Sequence, residues 1–467
     1  MTESAGPGHS GPGQVVTEVL HAAVADDVIV GVTVAGEVNA RWAMSMPTTN
    51  GSQYAETVTI TALMHHPDGT AAATHSGPIA TWCEVLERAE AAARDGAPAL
   101  DAAPLLPGTQ VPGWDAAPAS VPTLTVPTEL ARAFSADTET EHAADTEYFG
   151  YTEEAVATSY IGTSTGWRWR SEDRTARFEL CGKQAGRTRS AWHGAAGERL
   201  SDIDVGAALA DVRTGLAAQR TPIDLPAEPT TVLLTPSAVA DLMLCLWWET
   251  DARAAAEGRS AFSGHGPAGT ALGSRVSERR LTLRSDPRAA GVRAPNRLWT
   301  PYSGSGVSLF DTGSAIEDVQ WIADGRLAAL ITSRGAAAEF DLPATVPAEN
   351  LLLTDADGHG TLADVIARTE RALLITSLWY IRDVDPQQLL VTGLTRDGTY
   401  LVVDGKITGA TGNFRFNDSP MALLRRIVDA GDTVRCLPRE WADYFTRTAM
   451  PPLVVADFGL STASSAV

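Results

Sequence analysis

The sequence predicts an α+β fold in two domains, with extensive antiparallel β-sheet and flanking helices. Three observations carry that reading. Long stretches alternate polar and apolar residues, as 56–64 (ETVTITALM) does, which is the period of a half-buried strand. Asp-Gly pairs at 68–69, 324–325, 397–398 and 404–405 fall between such stretches, where hairpins turn. Fewer segments keep helical spacing, and these stop at glycine or at paired acids. The length of 467 residues leaves room for more than one domain.

In chain order, residues 1–14 are Gly, Ser, Pro and His without an apolar core, and read as a flexible tail rather than a secretory leader. An N-terminal α+β domain is expected over 15–97. It opens with a helix over 15–25, stopped by Asp26-Asp27. Strands over 28–35 and 37–46 are joined at Gly36, and strands over 56–64 and 70–75 at Asp68-Gly69. A helix over 79–94 ends at Gly96. Residues 98–127, with AAPLLPG and AAPASVP, lose backbone donors to proline and read as a linker or extended arm connecting two domains. A β-rich middle region, 128–229, closes the N-terminal domain with a short helix over 129–136, strands between 148 and 192, and a helix over 204–219. The C-terminal β-rich domain, 230–467, starts with a strand over 231–234 and a long helix over 237–257 ended by Gly258. An irregular glycine-rich stretch, 259–275, precedes strands from Arg280 onward. Within these, 389–409 reads as a three-stranded meander, 420–432 as a helix and 453–455 as a last strand.

Composition excludes more than it assigns. There are 36 basic and 57 acidic residues, a formal charge of −21, so a nucleic-acid backbone would be repelled. Lysine occurs only at Lys183 and Lys406, so nearly every cation is an arginine. No apolar run reaches the roughly 18–20 residues of a membrane span. Cys83, Cys181, Cys245 and Cys436 are far apart, which favours a reducing, cytoplasmic setting over a disulfide framework. Of the nine histidines only His65 and His66 are close, and neighbours on a strand point to opposite faces. His359 in DADGHG reads as part of a solvated turn. No GxSxG elbow, P-loop or dinucleotide fingerprint is present.

Three sets of strings carry a family resemblance. GRSAFSG occupies 258–264. LWYIR at 378–382, TGLTRDG at 392–398 and NFRFNDSP at 413–420 form the second set, and MPPLVV at 450–455 the third. With the Thr49-Asn50-Gly51 turn, these residues resemble the TldD/TldE (PmbA) family along nearly the whole chain. Hydrolytic members of that family carry HExxxH on the helix leading into the SAFSG-like segment, and a cysteine near the C-terminus completes their zinc site. An ungapped count back from Ser260 puts Met243 and Trp248 at the histidine positions and Leu244 at the glutamate. None of the three is an imidazole ligand or a base. Cys436 falls near the family's cysteine ligand. Val239, Leu242, Met243, Leu246 and Trp247 give this helix a broad apolar face suited to packing.

The resemblance therefore implies a TldE/PmbA-like, metal-free member. Such a chain is not catalytic alone. It pairs as a heterodimer with a TldD-like zinc metallopeptidase and completes a chamber that degrades or processes unfolded or extended peptides. No cofactor is expected in this chain, zinc only in the partner, with no contact to nucleic acid or membrane. Trp379, Tyr380, Arg382, Asn413, Arg415 and Asn417 are candidates for partner or peptide contact, because aromatic and arginine side chains favour interfaces. Equally, Phe414 and Phe416 can pack in the core while the arginines hold carboxylates. Two other functions stay open: a stand-alone, zinc-independent hydrolytic or biosynthetic enzyme on the same scaffold, and a homodimeric peptide-binding or structural protein.

Overall fold

The computed structural model describes residues 11–123, 130, 132, 146–304 and 306–464. Residues 1–10 of the expected tail and nearly all of the expected helix over 129–136 lie outside them. Alternating side chains decide the N-terminal half. Strands β1 (Asp27–Ala43), β2 (Met46–His66), β3 (Gly69–Pro78), β4 (Glu147–Thr163), β5 (Arg168–Gln184) and β6 (Arg189–Gly197) form one sheet in the order β3-β2-β1-β4-β5-β6. Every pairing in it is antiparallel. Val28, Val30 and Val32 of β1 and Tyr160 of β4 turn one face toward α1 (Pro12–Ala22) and α2 (Trp82–Arg94). On the same face Trp42, Phe178 and Leu180 meet α3 (Val205–Ala218). The first three strands lead through a 3-10 turn, Ile79–Thr81, into α2, and the last three through another, Leu200–Asp202, into α3.

Expectations for this half change at several points. α1 begins at Pro12, inside the expected tail, because proline suits a first helical turn. Gly36 does not turn the chain; it sits mid-strand in β1 between Tyr54 and Val156. The hairpin turns instead at Met44-Ser45, both left-handed (φ 51° and 61°). Gly36 is glycine because an added Cβ would lie 2.7 Å from the Val121 side chain. Thr49-Asn50-Gly51 is likewise strand, opposite Arg41, Ala40 and Asn39.

The Ala/Pro stretch leaves α2 and returns to β4 of the same sheet, so it does not link two sheets. Leu105 packs with Ile29 and Phe310 on the helix-free face, and Trp114 packs with Tyr160 on the other. Between them Gln110 pairs with Arg168 at the start of β5. The arm thus bends round the sheet's end and fixes itself by its carbonyls, taking hydrogen bonds from Thr165 (2.7 Å), Tyr160 and Arg170 (3.0 Å).

The C-terminal half holds two sheets. The first runs β10-β9-β8-β11-β18-β17, from β8 (Leu281–Ser285), β9 (Val319–Ala323), β10 (Arg326–Leu327), β11 (Leu351–Asp355), β17 (Val434–Cys436) and β18 (Thr448–Met450). The second runs β16-β19-β7-β12-β13-β15-β20, from β7 (Thr230–Leu234), β12 (Arg371–Asp385), β13 (Leu390–Val403), β15 (Asn413–Asp418), β16 (Ile427–Ala430), β19 (Leu453–Phe458) and β20 (Leu460–Ser464). β14 (Lys406–Thr411) pairs with β13. Among the described strand pairings of this half, β7–β12 and β11–β18 are parallel and the others antiparallel. Helix α4 (Pro236–Trp248) touches β7 and β12 of one sheet and β17 and β18 of the other, and every residue from Ala238 to Trp247 is buried. A helix apolar all round belongs inside a core.

Here too the local signals are partly overridden. The long helix breaks at Thr250, whose hydroxyl donates to Trp247 O, and Asp251 then caps α5 (Ala252–Ala256) by accepting from Arg253 N at 2.8 Å. Arg396-Asp397-Gly398 is not a hairpin turn but a left-handed kink inside β13 (φ 51° at Asp397, 134° at Gly398), so 389–409 holds two strands rather than three. The helix expected over 420–432 is one turn, α8 (Pro420–Leu423 in this structure), because Ile427 and Ala430 pair with Val455 and Leu453 of β19. Short helices α6 (Arg334–Phe340) and α7 (Leu362–Arg368) complete the half. Asp324-Gly325 and Asp404-Gly405 do turn hairpins.

Candidate functional site

The helix-free face of β5 and β6 meets the C-terminal sheets along a polar seam. Its centre is Asp397, 3% exposed, which the kink in β13 turns toward β6. The Asp397 carboxylate accepts from Ser190 and pairs with Arg439, with Arg396 at 3.6 Å and the Cys181 thiol at 3.8 Å. Arg439 donates to Ser377 Oγ at 2.9 Å, and its guanidinium lies 5.0 Å from the Trp192 ring and 5.4 Å from Trp379. Burial pushes the Asp397 carboxyl up, but the Arg439 charge, the Ser190 hydroxyl and Arg396 outweigh it and hold the group below the ordinary carboxylate range. Nearby, burial raises Glu179 against the opposing charges of Arg177 and Arg439. The Cys181 thiol is pushed up to about 12, chiefly by burial and then by Asp397, so it is no nucleophile at neutral pH.

Trp379, Tyr380 and Arg382 come together beside this seam. Tyr380 is left-handed (φ 55°), and one carboxylate holds it: Glu440 accepts from Tyr380 N at 2.7 Å, Ile381 N at 3.1 Å and Arg382 Nη1 at 2.9 Å. Arg382 lies 4.2 Å from the Tyr380 ring centre. Trp379 and Tyr380 stay 37% and 52% exposed, a surface of two aromatic rings flanked by arginines. The other three candidates alternate along β15 with Phe414 and Phe416, which are buried in the core. Asn413 lines a polar cavity of about 150 Å³ with Ser190, Asp397, Thr399, Thr411 and Ser464. Arg415 and Asn417 do not join it; Arg415 donates to Thr392 Oγ1 at 3.4 Å and Asn417 to Ser461 Oγ at 3.0 Å.

The positions matched to HExxxH are packed. Met243 and Leu244 are fully buried in α4, and Trp248 meets Trp441 edge-on at 5.0 Å. Cys436 is buried against Thr448 Oγ1 at 3.4 Å, and burial pushes its thiol up to about 12. A thioether, an alkyl chain and a protonated thiol do not fit zinc. Among the described residues no three His, Cys, Asp or Glu side chains converge as a metal site. The acids around His359 serve as ion-pair partners, Asp355 to Arg279 and Asp357 to Arg280.

Sequence reasoning missed Asp241, which lies within the apolar run of α4. It is fully buried, accepts from Glu440 N at 3.0 Å, and its backbone carbonyl takes the Trp441 indole N–H at 3.1 Å. It thereby positions the segment that carries Arg439 and Glu440. Burial raises its carboxyl well above the ordinary value, and Oδ2 has no partner among the described residues. Because the folded value exceeds the unfolded one, wild-type stability falls as pH rises from about 4 toward the folded value. Asp241→Asn keeps the acceptor and removes the titration. The gain in its melting midpoint over wild type is therefore expected to grow as pH rises above about 4, read by circular dichroism.

With this geometry in place, comparison with known proteins decides the lineage. A family model described as the PmbA/TldA metallopeptidase C-terminal domain matches residues 227–462, half of the chain. The chain belongs to the TldD/TldE (PmbA) family. Solved structures share its fold across nearly the full length. TldE from Thermococcus kodakarensis superimposes with a TM-score of 0.74 at 13% identity, covering 96% of this chain and 99% of that one. A protein named a candidate modulator of DNA gyrase from Thermotoga maritima gives 0.71 at 15% identity, covering 93% and 96%. Another so named, from Bacteroides thetaiotaomicron, gives 0.72 at 14%, covering 97% and 98%. No curated protein matches. As a TldD/TldE family member the chain has the mixed α+β fold expected, and no helix among its described residues is long and apolar enough to cross a membrane.

Proposed function

We propose that this chain is a TldE/PmbA-like subunit without a metal centre of its own, which pairs with a TldD-like zinc peptidase in the cytoplasm. Together they form a chamber that degrades or processes extended peptides. The observation that carries this reading is α4: where the resemblance puts the catalytic helix of hydrolytic members, Met243 and Leu244 are fully buried and Trp248 packs on Trp441. The exposed Trp379–Tyr380 surface, fixed by Glu440, supplies a preorganised contact for partner or peptide.

The test mixes the purified chain with an HExxxH-bearing homologue from the same genome. Neither stoichiometric zinc nor cleavage of an unstructured peptide is expected from this chain alone, and cleavage is expected to rise at least tenfold over the homologue alone on mixing. Zinc at one equivalent in this chain, or cleavage without the homologue, overturns the assignment in favour of a self-sufficient enzyme. A stable self-dimer that neither binds the homologue nor changes its activity overturns it in favour of a peptide-binding or structural protein.

A further inference from the structure

A second cavity lies away from the seam, under the loop that follows α5. The loop folds tightly on itself: Gly264 N–H donates to Gly269 O at 2.8 Å, Gly266 N–H to Thr270 O at 2.7 Å and Ala271 N–H to Phe262 O at 2.6 Å. A Cβ at Gly266 would sit 2.7 Å from Leu272 O, so only glycine permits the fold-back. The result is a fixed wall rather than a free strap. Between this wall, Val276, Leu327 and the residues around α8 is a cavity of about 560 Å³. That is within the range of small-molecule sites, about 300–1,000 Å³.

The lining is divided by chemistry. Leu272, Val276, Leu327 and Met421 provide an apolar surface, while His265 and Arg425 are the charged or ionisable groups, and no carboxylate lines it. Both side chains are exposed to solvent at the cavity's mouth. The Arg425 guanidinium donates to Arg275 O at 3.2 Å and, like the nearby Arg275 and Arg326, meets no carboxylate among the described residues, so the cavity's mouth carries a net positive field. His265 makes no hydrogen bond or ion pair among the described residues. A cation left without its counter-charge at the edge of an apolar cavity recognises an anion with an apolar body.

We propose that this cavity binds a carboxylate carried on a compact apolar group, with the apolar part against Leu272, Val276, Leu327 and Met421 and the carboxylate at Arg425 and His265. A small organic acid and the C-terminal residue of a peptide share that chemistry. Only the peptide source rests on the proposed function; the site itself is independent of any peptidase partner.

Titration calorimetry on the full chain tests it with N-acetyl-leucine, N-acetyl-leucinamide, and the tetrapeptide Ala-Ala-Ala-Leu with a free or amidated C-terminus. N-acetyl-leucine is expected to bind at least tenfold more tightly than its amide. Arg425→Gln should weaken it at least tenfold with an unchanged melting midpoint, and Arg425→Lys should retain most of the binding. A free-ended tetrapeptide that binds as well as the small acid identifies peptide ends as the source; binding of the small acid alone identifies free acids. Equal affinity for acid and amide, no saturation of either, or full binding by a folded Arg425→Gln protein overturns the proposal.

Discussion

Asp397→Ala is expected to destabilise the folded chain by about 3–5 kcal/mol, read as a lower urea midpoint at an unchanged slope. The cost lies in what stays behind. Arg439 is held between Trp192 and Trp379, Arg396 flanks it, and Ser190 loses its acceptor. A buried guanidinium without its carboxylate is the expensive state, so adding Arg439→Met to Asp397→Ala should recover part of the loss. The pH dependence has a definite sign. The folded Asp397 carboxyl lies below its unfolded value of about 3.9, so its contribution is complete at neutral pH and disappears as pH falls below about 4. Wild type should therefore lose more stability than Asp397→Ala on acidification through that window. An Asp397→Ala protein with the wild-type midpoint would show that the seam does not hold the two halves together.

Writing the HExxxH pattern into α4 is the second large effect. Met243→His, Leu244→Glu and Trp248→His together should not create a peptidase; they should unfold the C-terminal half. Leu244 is wholly enclosed in the apolar core, so a glutamate there would lose its hydration. Leu244→Glu alone should cost about 3–5 kcal/mol, or neutralise by a strongly raised carboxyl. Because α4 touches both C-terminal sheets, the loss should reach both at once, seen as a single earlier thermal transition. A triple variant with the wild-type midpoint and one bound zinc would mean that the helix retains a latent metal site, contrary to its packing.

What the residues disclosed, and what they hid, follows from the range of the forces involved. Hairpins at Asp324-Gly325 and Asp404-Gly405 were legible because a left-handed pair must be written locally. The same signal at Asp397-Gly398 misled, since a kink within a strand uses the same backbone angles, and only the buried arginine across the seam distinguishes the two. Gly36 was misread for a related reason: a glycine admitting Val121 is indistinguishable in sequence from one that turns the chain. Of the candidate residues, Trp379, Tyr380 and Arg382 were found together because they are adjacent in sequence. Glu440 and Asp241, which position them, come from distant segments and carry no local mark. The alternation of Asn413, Arg415 and Asn417 with Phe414 and Phe416 was visible as strand, but which polar residue reaches the Asp397 cavity depends on how β15 packs.

The order of strands in the N-terminal sheet has a further meaning. β1, β2, β3, a 3-10 turn and α2 are answered by β4, β5, β6, a 3-10 turn and α3, with the two helices on one face. The antiparallel β1–β4 ladder, centred near Ala35 opposite Ala157, is where a half-turn would exchange the two sets. That is the plan of two like units set side by side. The first three-stranded unit alone would leave β1 as a bare edge, and β4 of the second covers it. Fused in one chain, the two units close their own seam, with the arm over 98–123 following the first of them. The symmetry is broken where the chemistry sits: β5 and β6 carry the acids, thiol and indole that face Arg439, and their counterparts β2 and β3 do not.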